Sequence, residues 1–213
     1  MRREKRERKR LTFFGVPFAC IALVAIVFSH IGWLVENIAR VFLVGEIDAR
    51  FYILPFISAY GAIPFAFHAI LRSPNDIKFF GKELPLKDGL RARIIKNVIA
   101  YILMVLFVYI AELAVGNLWD KLFGVKLWDY RSYPLNFTRY TSLPTSLAFG
   151  TGGFILYKTV YKWLLNAFCN APYKIITVLA AVLGILIILD TVNMILYMAV
   201  MKDAPMLWSI DLR

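Results

Sequence analysis

Cysteine and histidine are scarce in this chain, two of each among 213 residues, and only 18% of positions are charged. Cys20 and Cys169 alone cannot build a disulfide framework. His30 and His68 fall in different apolar segments, so no metal-ligand spacing is spelled out and neither a metal nor a cofactor is expected. A His-Glu-x-x-His stretch, a nucleophile beside a base and a glycine-rich phosphate cradle are all missing. Beyond an acidic layer and an aromatic loop described below, the chain thus carries no sequence sign of catalysis, and it cannot hydrolyse ATP by itself.

What it has instead is apolar length: 60% hydrophobic residues and a mean hydropathy of +0.65, more than one small soluble core could hide. Five runs, residues 11–34, 51–71, 98–118, 140–157 and 175–201, approach or exceed the roughly 20 helical residues that cross a hydrocarbon core. The expected fold is an all-α membrane protein of about five transmembrane helices forming one integral membrane domain over residues 1–213. The net charge of +11 suggests topology rather than nucleic acid, because the basic residues fall between the runs and not on one face. Seventeen Lys/Arg lie on the side of residues 1–10, 72–96 and 158–174, against eight on the other side. The positive-inside rule then puts the N-terminus in the cytoplasm and the C-terminus outside. The opening basic stretch leads into a run longer than a signal peptide's apolar region, so a retained first helix is expected. Its charges fit a topogenic role, and they equally fit a grip on anionic lipid headgroups.

Two stretches rhyme: Leu54-Pro55-Phe56-Ile57-Ser58-Ala59-Tyr60-Gly61 and Leu143-Pro144-Thr145-Ser146-Leu147-Ala148-Phe149-Gly150 share the pattern Leu-Pro-x-x-x-Ala-aromatic-Gly. Each follows a polar connection that leaves an apolar segment bearing a glutamate, Glu36 or Glu112. The expectation is a duplicated hairpin, repeat A at about 11–71 and repeat B at about 98–157, related by an axis along the membrane normal, with a fifth helix at about 175–201 outside it. Pro55 and Pro144 should open the first turns of the second and fourth helices. Gly150, Gly152 and Gly153 read either as a helix packing face or as a ligand loop.

Counted from their basic anchors, Glu112 and Asp190 fall in the outer half of their helices, and Glu36 at or beyond the outer interface. Carboxylates at membrane depth face a bundle interior or a watery cavity and have partners. Glu36, Arg40, Asp48, Arg50, Glu112, Trp128, Asp129, Tyr130, Arg131, Asn136, Asp190 and Asn193 are therefore the candidate polar network, with Arg40 one turn after Glu36 as its in-helix partner. The competing reading is that these acids pair with Arg40, Arg50, Arg131 or Arg139 to lock helices together. The segment 119–137, where Trp and Tyr alternate with charges, fits an interfacial belt and also a lid over a cavity.

Gly32-Trp33-Leu34-Val35-Glu36-Asn37, Arg50-Phe51-Tyr52-Ile53-Leu54-Pro55 with Tyr60-Gly61, and Lys121-Leu122-Phe123-Gly124-Val125-Lys126-Leu127-Trp128-Asp129-Tyr130 followed by Pro134-Leu135-Asn136 resemble a bacterial membrane family, the putative ABC-transporter type IV group. The resemblance spans roughly residues 29–157 and implies a multi-pass protein of the bacterial plasma membrane with a permease-like role. Three functions fit the sequence. The leading one is a non-enzymatic transport or transport-associated protein with an outward-facing acidic and aromatic pocket. The second is an accessory or scaffold subunit that docks on a protein partner or on its own copies. The third is an enzyme acting on outer-leaflet lipid. The lipid bilayer itself is the expected partner, and nucleic acid is not.

Overall fold

The computed structural model describes residues 10–87 and 89–212, the Leu43 side chain excepted. The basic run at residues 1–9 and Arg213, used above for the charge asymmetry, lie outside the described residues. Helices dominate: α1 (Phe18–Val44), α2 (Ser58–Leu71), α3 (Leu90–Phe123), α4 (Leu143–Leu156), a π-helical turn (Tyr157–Tyr161), α5 (Lys162–Asn170) and α6 (Tyr173–Met201). Because α4, the π turn and α5 follow without a break, the described residues form five helical rods. Six short strands pair in twos: β1 (Thr12–Phe13) with β2 (Val16–Pro17), β3 (Glu46–Asp48) with β6 (Ser209–Asp211), and β4 (Asn136–Thr138) with β5 (Thr141–Ser142).

Local chemistry sets the helix ends. Pro17 and Pro172 stand just before α1 and α6, where a fixed φ suits helix entry. Gly45 and Gly124 end α1 and α3 in the left-handed conformation, at φ 73° and 72°, and their N–H groups bond back to the last-turn carbonyls. Ser142 caps α4 by accepting from the Thr145 N–H at 3.3 Å, with Pro144 in the first turn as expected.

Three helices, Phe18–Phe42 within α1, Leu90–Phe123 and Tyr173–Met201, are long and apolar enough to cross a membrane, which makes this a multi-pass membrane protein in contact with the bilayer. The expected runs shift in detail. Residues 12–17 form a β hairpin rather than helix, and α3 is longer than 98–118 at both ends. Helix α2 starts at Ser58, so Pro55 lies in the preceding loop and not in a first turn. The cause is tertiary: the Asp190 carboxylate takes the N–H groups of Ile53 and Leu54, at 3.0 and 2.8 Å, and the Ser29 carbonyl takes that of Ile57 at 3.1 Å. These captures hold the loop extended past the proline. Residues 158–170, expected as connection, continue the fourth rod as helix.

Helix α1 is the hub. It packs along α2 and α6 and touches α5, while α3 packs along α4. The end bearing the β1–β2 hairpin is called the near end here, and the end bearing the C-termini of α1, α3 and α6 the far end. Mid-bundle, Val24 and Phe28 of α1, Phe67 and Leu71 of α2, Ala100 and Met104 of α3 and Tyr157 and Tyr161 of the π turn form one buried core. The π turn places both tyrosines inward, and the Tyr161 hydroxyl reaches His68 Nδ1 at 2.8 Å. At the far end, Tyr52, Ile57, Val125, Met194 and Met198 form another core. The opposite faces of α3 and α6 stay apolar and exposed, as at Ile102, Leu106, Ile110, Val182, Leu186 and Leu189, where lipid would lie.

Candidate functional site

The far end gathers most of the candidate acids. Glu36 lies two-thirds of the way along α1. Its carboxylate accepts from Arg50 Nε at 2.7 Å, from Arg50 Nη2, and from the Tyr60 hydroxyl of α2 at 2.9 Å. Arg40, the expected in-helix partner, instead pairs with Glu46 at 2.9 Å and Asp48 at 2.8 Å. The i,i+4 pairing is overridden because β6 holds β3 in register, Glu46 opposite Asp211 and Asp48 opposite Ser209, which sets two carboxylates beside Arg40. The chain then turns back through Arg50 and Phe51, both at positive φ, 51° and 73°. Each such non-glycine conformation costs roughly 1–3 kcal/mol and survives only where surrounding contacts fix it. Here the Arg50 N–H donates to Asp48 Oδ1 at 2.8 Å, and the Asp48 N–H donates to Asn37 Oδ1 at 2.8 Å. Beside this network lies a cavity of about 160 Å³ walled by Arg40, Asp48, Arg50, Phe51, Leu127 and Met206.

Glu112 sits in α3, half-buried, at the same end. It accepts from the Tyr130 hydroxyl at 3.3 Å and from the Ser146 hydroxyl of α4 at 3.4 Å. No lysine or arginine forms an ion pair with it among the described residues. Tyr130 belongs to the connection after α3. Burial first, then the Glu112 charge and hydrogen bond, with a lesser push from Glu36, raise its pKa well above the ordinary phenol range. Tyr130 therefore remains a donor, and it feels both glutamates. The rings of Tyr60 and Phe149, 6.5 Å apart, join the two halves: Tyr60 serves Glu36, and Phe149 lies one turn beyond Ser146.

Asp190 is nearby but differently engaged. It is 6% exposed, and both of its oxygens are occupied by the Ile53 and Leu54 amides described above. Asp129 pairs with Arg131 at 2.7 Å and Arg139 at 3.4 Å, which fastens the 124–142 connection to itself. The Arg131 side-chain hydrogen bond, followed by the Arg131 backbone N–H, holds the Asp129 pKa below the usual aspartate range. Trp128 Nε1 donates to the Tyr140 carbonyl at 3.0 Å, and the Tyr140 hydroxyl reaches Asp120 at 2.5 Å.

Asn136 and Asn193 are exposed. Of the three glycines, Gly150 closes on Val105 of α3 and Gly153 faces Phe67, whereas Gly152 has nothing within 4 Å of where a Cβ would be. Sequence reasoning passed over Tyr60, Ser146 and Phe149 as site residues. Their signal was the rhyme itself, since Tyr60 and Phe149 are its aromatic positions and Ser146 lies between proline and alanine.

Chemically, Glu36 is neutralised by Arg50, while Glu112 has only neutral hydroxyl donors. A carboxyl group in such a setting can hold a proton or accept a cation.

A family model described as putative ABC-transporter type IV matches residues 23–195, a stretch that contains Glu36, Glu112 and Asp190. The chain belongs to that family. No curated protein and no solved structure matches it.

Proposed function

We propose that this member of the putative ABC-transporter type IV family is a transport or transport-associated protein in which Glu112 takes up and releases a proton or cation within a polar layer on the outer side of the membrane. The observation that carries this reading is the unneutralised carboxyl of Glu112, set in a 34-residue apolar helix and served only by Tyr130 and Ser146. An ionisable group at that depth costs a few kcal/mol to insert, roughly 3 kcal/mol on translocon scales, and such groups mark substrate and ion pathways.

The reading includes two parallel helical hairpins with the N-terminus in the cytoplasm. Helix register supports the duplication. Gly61 of α2 closes on Ser29, seven residues before Glu36, and Gly150 of α4 closes on Val105, seven residues before Glu112. A Cβ at Gly61 would lie 2.5 Å from Ser29 Oγ, and one at Gly150 would lie 2.6 Å from Val105 Cγ2. The rhyming aromatics, Tyr60 and Phe149, meet each other as residues beside a two-fold axis would. The two glutamates are then equivalent positions with divergent partners: Glu36 is an arginine-locked strut and Glu112 is the working copy.

The test compares Glu112→Gln with Glu36→Gln by infrared difference spectroscopy of purified protein across pH. A carboxylic acid band that titrates in the wild type and in Glu36→Gln, but vanishes in Glu112→Gln, is the expected result. Complementation of a deletion strain should likewise fail for Glu112→Gln with membrane insertion intact. A band that persists in Glu112→Gln, or full complementation by it, rules the proposal out.

A further inference from the structure

An apolar groove of about 520 Å³ runs between α1, α2 and α6. Ala22 and Ala25 of α1, Gly61 and Ala62 of α2, and Ala181 and Gly184 of α6 form its walls. Small residues ordinarily let membrane helices close on one another, and α2 does close on α1 at Gly61. Helix α6 packs on α1 through Leu183 and Ile187 but stands off from α2, and a Cβ built at Gly184 meets nothing within 4 Å. Larger side chains, Phe18, Phe65, Ile185 and Ile188 among them, rim the open volume, but Ala181 and Gly184 on its α6 wall are too short to fill it, and its lining atoms lack contact partners on one side.

Three features say what fills it. First, the groove lies along the helices, from Phe18 and Phe65 near one end, rings 5.8 Å apart, to Ser29 and Ser58 near the other. It is a slot for an extended apolar chain, not a round site. Second, Ile185 and Ile188 belong both to the groove wall and to the exposed face of α6 that contacts the bilayer, so hydrocarbon enters without crossing polar surface. Third, the near end carries a basic rim. The Arg10 guanidinium lies 4.6 Å over the Tyr173 ring, exposed Lys174 follows, and Tyr173 is seven residues, about 10 Å along the helix, from the groove wall at Ala180.

We propose that this groove holds one acyl chain of an anionic phospholipid whose phosphate is met by Arg10 and Lys174. The chain supplies the missing contacts along α6, and the headgroup charge complements the rim. A lipid seated there bridges α6 and α2, which leave the slot open between them while both pack on α1.

The test is native mass spectrometry of the full-length, detergent-purified protein titrated with palmitoyl-oleoyl phosphatidylglycerol or with the phosphatidylcholine of the same chains. The wild type should retain the anionic lipid roughly thirtyfold more strongly, as two basic side chains at about 1 kcal/mol each imply. Gly184→Leu, whose side chain enters the open volume and whose helix propensity exceeds that of glycine, should lose retention of both lipids severalfold. Ala181→Leu provides a second, independent filling of the same slot. Arg10→Gln with Lys174→Gln should erase the preference between headgroups while phosphatidylcholine binding stays unchanged. Three outcomes overturn the proposal: undiminished anionic-lipid retention in both groove-filling variants, equal retention of the two lipids by the wild type, or a wild-type dimer that Gly184→Leu converts to monomer. The last would make the groove an interface between copies.

Discussion

Asp190 offers the sharpest separation of architecture from transport. Its two carboxylate oxygens accept the Ile53 and Leu54 N–H groups from a loop 137 and 136 positions away in sequence, and the residue is 6% exposed. Each is a charge-assisted bond, worth about 1.5–3 kcal/mol when its loss strands the partner. Asp190→Ala removes both, so the 49–57 loop should be destabilised by about 3–5 kcal/mol relative to α6. Asp190→Asn keeps one accepting oxygen and turns an NH2 donor toward the other amide, which should cost about half as much. Other ties remain, among them the Arg50–Glu36 pair, the Ala49 N–H on the Trp208 carbonyl at 3.1 Å, the Ile57 N–H on the Ser29 carbonyl at 3.1 Å and the Tyr52 hydroxyl on Ser58 Oγ at 3.0 Å, so the loop loosens without the bundle unfolding.

Hydrogen exchange reads this locally. A loss of about 3 kcal/mol corresponds to exchange faster by roughly a hundredfold at the Ile53 and Leu54 amides, if opening is local. The order Ala above Asn above wild type is expected there, with amides in the middle of α3 unchanged. Exchange in Asp190→Ala within twofold of the wild type would refute the assignment of Asp190 as an amide clamp. It would return Asp190 to the pool of groups free to meet a substrate.

Two further expectations concern the fourth rod and the connection before it. Gly150→Ala places a methyl 2.6 Å from Val105 Cγ2 and 2.9 Å from Val105 Cα, so α3 and α4 must part, and the thermal midpoint should fall by an overpacking cost of about 1–3 kcal/mol. Gly152→Ala, two residues on and facing open space, should raise it through helix propensity by about 0.5–1 kcal/mol; midpoints moving the same way in both variants would contradict the packing described here. The Asp129 latch has a pH signature. Because its folded pKa lies below the unfolded value, its contribution is present above the ordinary aspartate range and is lost as pH falls through the lower folded value. Protection of the Arg131 amide relative to its intrinsic exchange rate, set by its bond to Asp129 Oδ1 at 3.0 Å, should therefore persist at about pH 4 and fall only below it. In Asp129→Asn that protection should be low and independent of pH across the window, and a pH-independent protection in the wild type would count against the latch.

The sequence disclosed the helices better than their breaks. Hydropathy placed α6 to within two residues but α1 and α3 only to within about ten, and Glu36, Glu112 and Asp190 each stand about two-thirds of the way along their helices. The late start of α2 was hidden because Pro55 is an acceptable first-turn residue by every local rule, and only an aspartate 135 positions later diverts the amides before it. The π turn at Tyr157–Tyr161 was equally hidden, since an extra residue in a helical turn changes neither composition nor apolar content. Both breaks are written in long-range contacts, and a single sequence does not reveal those.

Arg40 and Arg50 carry the same lesson into the site. Spacing along α1 favours Arg40 for Glu36, yet the chain returns through Asp48 and Ala49 to bring Arg50 there, and spends backbone strain at two residues to do it. No comparable return follows α3. The connection after Glu112 presents Tyr130, while its arginines, Arg131 and Arg139, are held by Asp129 and, for Arg139, Asp120 at 3.9 Å. The difference between the two glutamates therefore originates in their loops and not in their helices. Both arginines of that connection are thus committed to aspartates within or beside it, Asp129 and Asp120, and Glu112 is left to the Tyr130 and Ser146 hydroxyls.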